Sequence, residues 1–199
     1  MYLFRGDEIW DPDFENLVGI SEFLDAKLRL LCDYSVSAEE ADAFGYFDQI
    51  EHFLGFGLTA FQTYMTDTAA CAGKRKHETF KFGARTSSGT SKVEIINAAA
   101  NCWKHREEWV FDNGRRQAAI DRLFEEVGYS TQVDYPISGV ITELLVPAEV
   151  SFANLLHLIR VWRDDLIAHT RAEPCASPNG GPAERFGNSG TVEGPPSVS

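Results

Sequence analysis

The residues best suited to chemistry lie near the C-terminal end of one long apolar segment. Residues 150–168 are apolar almost all round, a pattern typical of a helix that is buried on more than one side. Arg163, Asp164, Asp165 and His169 come at its end, and charged side chains are costly to bury without partners. A central helix that carries charge at one end predicts a functional site there.

Arg163 and His169, with Asp164 directly after the arginine, resemble the Arg-x(4–6)-His signature of the HEPN superfamily. Residues 167–169 also resemble the common ending of that motif. The resemblance implies a small all-α bundle, a homodimer through the last helix and a metal-independent ribonuclease of a prokaryotic toxin–antitoxin or phage-defence system. It covers one helix by motif and residues 15–170 by architecture.

Under this resemblance, each catalytic candidate would have its own role. His169 would deprotonate the ribose hydroxyl, because the histidine pKa of roughly 6.5 lies near working pH. Arg163 would stabilise charge on the phosphate with its planar fork. Six residues apart on a helix means about 120° of rotation, so the two would converge on one phosphate from a helix end or across a dimer interface. Asp165 shares the face of His169 and would orient its ring, and Asp164 would hold or polarise the site.

A purely structural role explains the same residues. Arg163 would pair with Asp165 or with a carboxylate elsewhere, and a protonated His169 would interact with the last carbonyls of the helix, which is worth about 0.3–1 kcal/mol. His157 lies among leucines and is interpreted as a core histidine.

A second set of polar residues forms a stripe on an alanine-rich helix. Asn97, Asn101 and His105 are spaced by four, and buried amides need partners. The stripe either faces water or caps carbonyls, or it lies against the charged end of the last helix. Asn101, Lys104 and His105 also resemble the Asn-x-x-Lys-His sequence of some HEPN motifs, although Ala100 stands where the arginine would be expected.

The segment 73–91 holds the one basic cluster of the chain. Phe80 and Phe82 interleave with its cations, so it is a candidate RNA-binding loop in which bases stack on phenylalanine. The alternative is a solvated linker whose charges balance acidic neighbours. The candidate RNA-binding residues are Lys74, Arg75, Lys76, Lys81 and Arg85.

Composition limits the function classes. A net charge of −12 argues against a generic nucleic-acid binder, because phosphate contacts need clustered cations. The scattered Cys32, Cys71, Cys102 and Cys175 predict buried thiols, without a zinc site or a disulfide framework. No P-loop, catalytic-serine or dinucleotide signature occurs, so we predict no cofactor and no metal. Signal-peptide and membrane-span patterns are missing as well, which favours the cytoplasm.

Periodicity predicts an all-α bundle of about five helices in a single domain, residues 1–171. The helices are predicted near residues 15–34, 37–68, 90–111, 115–127 and 150–171, the second with a capping box at Ser37 and Glu40 and a possible bend at Gly55 and Gly57. Residues 129–147 are interpreted as an irregular connection with a possible hairpin, in which residues 142–146 could form a short helical turn. The Pro/Gly-rich tail, residues 172–199, is predicted to be disordered.

Two functions follow from these observations. The first is the HEPN-like endoribonuclease, with RNA as substrate and a possible antitoxin as partner. The second is a non-catalytic module with a HEPN-type fold, which dimerises or binds a partner protein, and the acidic charge favours it. The ribonuclease is favoured if Arg163 and His169 share an open cleft near the basic loop, and the module is favoured if each is held in a separate buried ion pair.

Overall fold

The computed structural model describes residues 3–5, 8–32, 36–105, 107–108 and 115–172. A short antiparallel hairpin pairs β1 (Leu3–Arg5) with β2 (Glu8–Trp10). No helix in these ranges combines the length and the apolarity needed to cross a membrane. Eight helices lie within them: α1 (Pro12–Cys32), α2 (Ala38–Ala43), α3 (Tyr46–Cys71), α4 (Lys76–Thr79), α5 (Lys92–His105), α6 (Arg115–Glu125), α7 (Pro136–Leu145) and α8 (Phe152–Ala172).

The prediction of an all-α fold is confirmed, and the five predicted helices correspond to α1, α3, α5, α6 and α8. The helix predicted over residues 37–68 is divided in two because Gly45 adopts a left-handed conformation, with φ of 70°. The predicted capping box is present at α2. The Ser37 N–H donates to the Glu40 carboxylate over 2.9 Å, and the Glu40 N–H donates to the Ser37 hydroxyl over 3.2 Å.

The interpretation of residues 129–147 as an irregular connection was wrong, because they contain α7. Its β-branched residues suggested extended structure, but its apolar side chains recur at helical spacing and are buried. A residue distant in the chain also caps the start of this helix. The Glu51 carboxylate, buried on α3, accepts the Ile137 N–H at 2.7 Å and the Ser138 N–H at 2.8 Å. A carboxylate at a helix N-terminus satisfies unpaired N–H groups and complements the helix dipole.

The central helix of the bundle is α3, which packs against α1, α4, α5, α7 and α8. It runs without interruption through the two glycines at which a bend was predicted. A Cβ on Gly55 would lie 2.1 Å from the Trp103 ring, and one on Gly57 would lie 1.9 Å from the Phe152 ring. These glycines therefore let α5 and α8 approach α3 closely.

The last helix, α8, is amphipathic rather than buried on several sides. One face, which includes Leu155, Ile159 and Trp162, is buried, whereas His157 is exposed and is not the core histidine that was predicted. Its start is held by Asp25 of α1, which accepts the Phe152 N–H at 2.6 Å and the Ala153 N–H at 3.0 Å. A neighbouring helix thus fixes the start of the helix that carries the catalytic candidates.

Two further predictions concern the cysteines and the tail. Cys32 and Cys71 are exposed, so the expectation of buried thiols holds for Cys102 but is wrong for these two. They follow the last buried positions of α1 and α3, where the helix ends leave the core. Cys175 and the tail from residue 173 onward lie outside the described residues, and the division into domain and tail stays a prediction.

Candidate functional site

Arg163 is held by two carboxylates and an aromatic ring. Its side chain is 12% exposed, with Nη1 3.2 Å from Oδ2 of Asp11 and Nη2 2.8 Å from Oδ1 of Asp164. The guanidinium also lies 4.3 Å from the centre of the Phe14 ring. Burial by itself would lower the pKa of Arg163, but the hydrogen bond to Asp164 and the nearby negative charge raise it above its usual value. The guanidinium therefore stays charged, and its fork is already occupied.

Asp11 joins three helices in one buried polar network. Its Oδ1 accepts the Phe14 N–H at 3.1 Å, which caps α1, while Oδ2 accepts the Tyr64 hydroxyl at 2.6 Å as well as Arg163. Burial, followed by the hydrogen bond to Asp11, raises the pKa of Tyr64. Sequence reasoning missed this carboxylate, although an aspartate directly before Pro12 is the usual pattern of a capped helix start.

His169 and Asp165 face a different part of the molecule. The exposed His169 ring packs on Phe82, with the ring centres 4.9 Å apart. Asp165 accepts the Gly83 N–H at 3.1 Å. Arg163 thus contacts the start of α1, whereas His169 contacts the segment after α4. The two catalytic candidates do not share these neighbours, as a rotation of about 120° between them predicts.

Two of the basic candidates are used to shape their own segment. Arg75 pairs with Glu78 at 2.6 Å, and this hydrogen bond holds the pKa of the Glu78 carboxyl at about 2. Arg85 donates to the Gly89 carbonyl at 2.7 Å and to the Lys81 carbonyl at 2.9 Å. Both guanidinium groups therefore stabilise local structure at the surface.

The three lysines of the segment have different surroundings. The backbone N–H of Lys74 donates to a carbonyl near the end of α3. Burial lowers the pKa of Lys76, and the charge of Lys104 lowers it further. Lys81 lies 5.1 Å from the centre of the Phe82 ring, the same ring that contacts His169. Of the predicted RNA-binding cations, Lys81 therefore contacts the same aromatic ring as His169.

The polar stripe lies between α3 and α6 and not against the charged end of α8. The buried Gln62 of α3 donates to Oδ1 of Asn97 at 2.9 Å and to Oδ1 of Asn101 at 2.8 Å, and it accepts a hydrogen bond from Lys104. On its other side the stripe lines a pocket of about 350 Å³, which we call the amide pocket. It is lined by Asn97, Ala98, Asn101, His105, Ala119, Ile120 and Leu123.

A further surface, which sequence reasoning missed, runs between α1 and α3. Ile20 and Phe23 belong to the apolar spacing that predicted α1, and they are 44% and 58% exposed. With Phe53 and the 62% exposed Phe56 they line an open groove of about 830 Å³, which we call the α1/α3 groove. The signal was the width of the apolar stripe on α1, which is broader than the one face that α3 and α8 cover.

In the described ranges, no group of three histidine, cysteine or acidic side chains has the arrangement of a metal site. Comparisons with protein-family models, with curated proteins and with solved structures found no match for this chain.

Proposed function

We propose that this chain is a non-catalytic helical module that binds a basic amphipathic helix of a partner protein in the α1/α3 groove. The observation that carries the proposal is the continuous exposure of Ile20, Phe23 and Phe56 along two neighbouring helices. Large exposed apolar patches on folded proteins mark interaction surfaces, and a groove between helices suits the apolar face of a third helix.

The charge around the groove selects the partner. Glu15 lies in the groove itself, and Asp13 and Asp67 line the adjoining pocket between the same two helices, whereas the one cation that contacts a groove ring in the described residues is Lys27, 5.4 Å from the centre of Phe23. The whole chain carries a net charge of −12. A second copy would bring acidic residues against acidic residues, which is unfavourable, whereas a basic helix would complement them.

The surroundings of Arg163 also support a non-catalytic function for the chain. A guanidinium that already contacts Asp11, Asp164 and Phe14 would have to give up these partners before it could bind a phosphate. The exposed surface of α8 is mostly polar, with Arg160, Asp164 and Asp165. The predicted homodimer through α8 stays a prediction, but the exposed apolar groove lies between α1 and α3.

A binding titration with designed helical peptides tests the proposal. The probe is a peptide of leucine and lysine with leucines at every third or fourth position, and its control replaces each lysine with glutamate. We expect the lysine peptide to bind, the glutamate peptide not to bind, and Phe56→Ser to weaken binding at least tenfold, about 1.4 kcal/mol. Phe44→Ser is the matched control, because Phe44 is also 62% exposed but lies outside the groove.

Three outcomes would overturn the proposal. The first is equal binding of both peptides. The second is equal weakening by Phe56→Ser and Phe44→Ser. The third is a concentration-dependent dimer in sedimentation that Phe23→Ser abolishes, since the groove would then belong to a second copy.

The HEPN-like ribonuclease is the second candidate function. What supports it is the position of His169, which is exposed at the end of α8 and packs on Phe82 beside Lys81. A histidine next to an aromatic ring and a cation suits a nucleotide that stacks and carries charge. In this form of the proposal His169 acts as the base, and Arg163 positions α8 instead of contacting the phosphate.

A further inference from the structure

We propose that the amide pocket binds a small carboxylate with an apolar body. The carboxylate oxygens accept hydrogen bonds from the side-chain N–H groups of Asn97 and Asn101. The pocket lies between α5 and α6 and shares no lining residue with the α1/α3 groove. It is therefore independent of the proposed docking function, and each can fail without the other.

The hydrogen bonds around Gln62 fix which atoms face the pocket. An ammonium group only donates, so the Gln62 atom that contacts Lys104 must be its oxygen. The Gln62 nitrogen then donates to both Asn97 and Asn101, so each of these amides must present its oxygen to Gln62. Because both oxygens contact Gln62 and both residues line the pocket, we infer that the Nδ2 groups face the pocket; within the described part of the chain no acceptor is paired with them.

Two donor groups at the wall of one pocket match a carboxylate, which is a side-by-side pair of acceptors with no donor. Positive charge lies nearby, because Lys104 is held in the same network and its charge also acts on Lys76. His105 also lines the pocket, and its Nδ1 contacts the exposed Glu108 at 2.9 Å. The side-chain N–H groups of the two asparagines and the charge of Lys104 favour an anion at the stripe.

The rest of the pocket selects the body of the ligand. Ala98, Ile120 and Leu123 give it an apolar wall, and polar groups are restricted to the stripe. Ligand pockets commonly combine an apolar lining with a few convergent polar groups that fix orientation. A monocarboxylate with a short aliphatic or aromatic body matches this division.

The test is a titration with benzoate and isovalerate, followed through the side-chain amide signals of Asn97 and Asn101 in ¹⁵N NMR spectra. Benzyl alcohol, which is similar in shape to benzoate but uncharged, is the comparison ligand. We expect both carboxylates to shift the two amide signals, and Asn101→Asp to weaken benzoate binding at least tenfold, because it replaces a donor with a repelling acceptor. The matched control is Asn154→Asp, which makes the same change at the start of α8.

A second pair of variants keeps the test independent of charge. Ala119→Phe fills the pocket and should also weaken benzoate binding at least tenfold, whereas Ala118→Phe, on the neighbouring exposed position of α6, should not. Thermal unfolding of each variant confirms that it is folded. Lack of any shift with either carboxylate would overturn the site. Benzyl alcohol that binds as tightly as benzoate would overturn the ligand class, and equal loss in Ala118→Phe and Ala119→Phe would overturn the location.

Discussion

Replacing Arg163 with alanine should destabilise the fold strongly, because the side chain neutralises a buried carboxylate. Asp11 is 7% exposed, and Arg163 is the cation that contacts it in the described part of the chain. Removing one partner of a buried ion pair commonly costs about 3–5 kcal/mol, since the other charge is left uncompensated. Asp11 would keep the donors from Phe14 and Tyr64, which reduces this cost.

The remaining contacts of Arg163 adjust the estimate. The pair with Asp164 contributes little, because the Asp164 side chain is 51% exposed and can be hydrated. Loss of the contact with the Phe14 ring adds about 0.5–1 kcal/mol. We therefore expect Arg163→Ala to lower the free energy of unfolding by about 2–4 kcal/mol. Arg160 is the matched control, because it also lies over the Phe14 ring, at 5.2 Å, but it is exposed. Arg160→Ala should cost below about 1 kcal/mol.

Urea unfolding followed by tryptophan fluorescence measures both changes, with Tyr64→Phe as a further variant. The loss in Arg163→Ala should persist at high salt, since a buried pair is screened little. A double-mutant cycle between positions 64 and 163 should show coupling, because both side chains bind the same oxygen of Asp11. If Arg163→Ala unfolded within about 0.5 kcal/mol of the wild type, the network would not be structural and a role for Arg163 in chemistry would regain weight.

Three further predictions concern helix capping, pH and catalysis. Glu51→Ala removes both acceptors at the start of α7 and should lower the free energy of unfolding in urea by about 2–3 kcal/mol. The control is Asp67→Ala at an exposed position, which should change that free energy by less than about 0.5 kcal/mol. Equal losses in the two variants would contradict the capping role. The pKa of Tyr135 is raised to about 12, first by the hydrogen bond to Asp42 and to a smaller extent by burial. The contribution of this hydrogen bond to stability should therefore be complete below pH 10.0 and be lost as pH rises through about 12. Phenolate absorbance measures this titration, and Asp42→Asn should move it back toward 10.0, while a wild-type titration already at that value would refute the contact. In EDTA, the ribonuclease proposal predicts cleavage of a mixed RNA pool by the wild type and none by His169→Ala; no cleavage by either protein, or equal cleavage by both, would refute the role of His169.

Local pattern predicted much of the helical framework. Leu54, Leu58, Phe61 and Met65 recur every three or four residues, and all four are buried on α3. The Ser37 capping box depends on a residue only three positions away, so the sequence contains the whole motif. Features of this kind need no knowledge of distant contacts, and for that reason they could be predicted.

The environment of the candidate site depended on partners far away in the chain. Arg163 contacts Asp11 across 152 positions, and α7 is capped by Glu51 across 86 positions. Periodicity places Ile20 on the apolar stripe of α1, but only the packing of the neighbouring helices decided that it would remain exposed. The sequence by itself determined most of the helical framework, although not α7, and it determined which residue types could do chemistry. The tertiary structure decided which of those side chains are neutralised in the interior and which face solvent, because burial and pairing are set by residues that meet only after the helices pack.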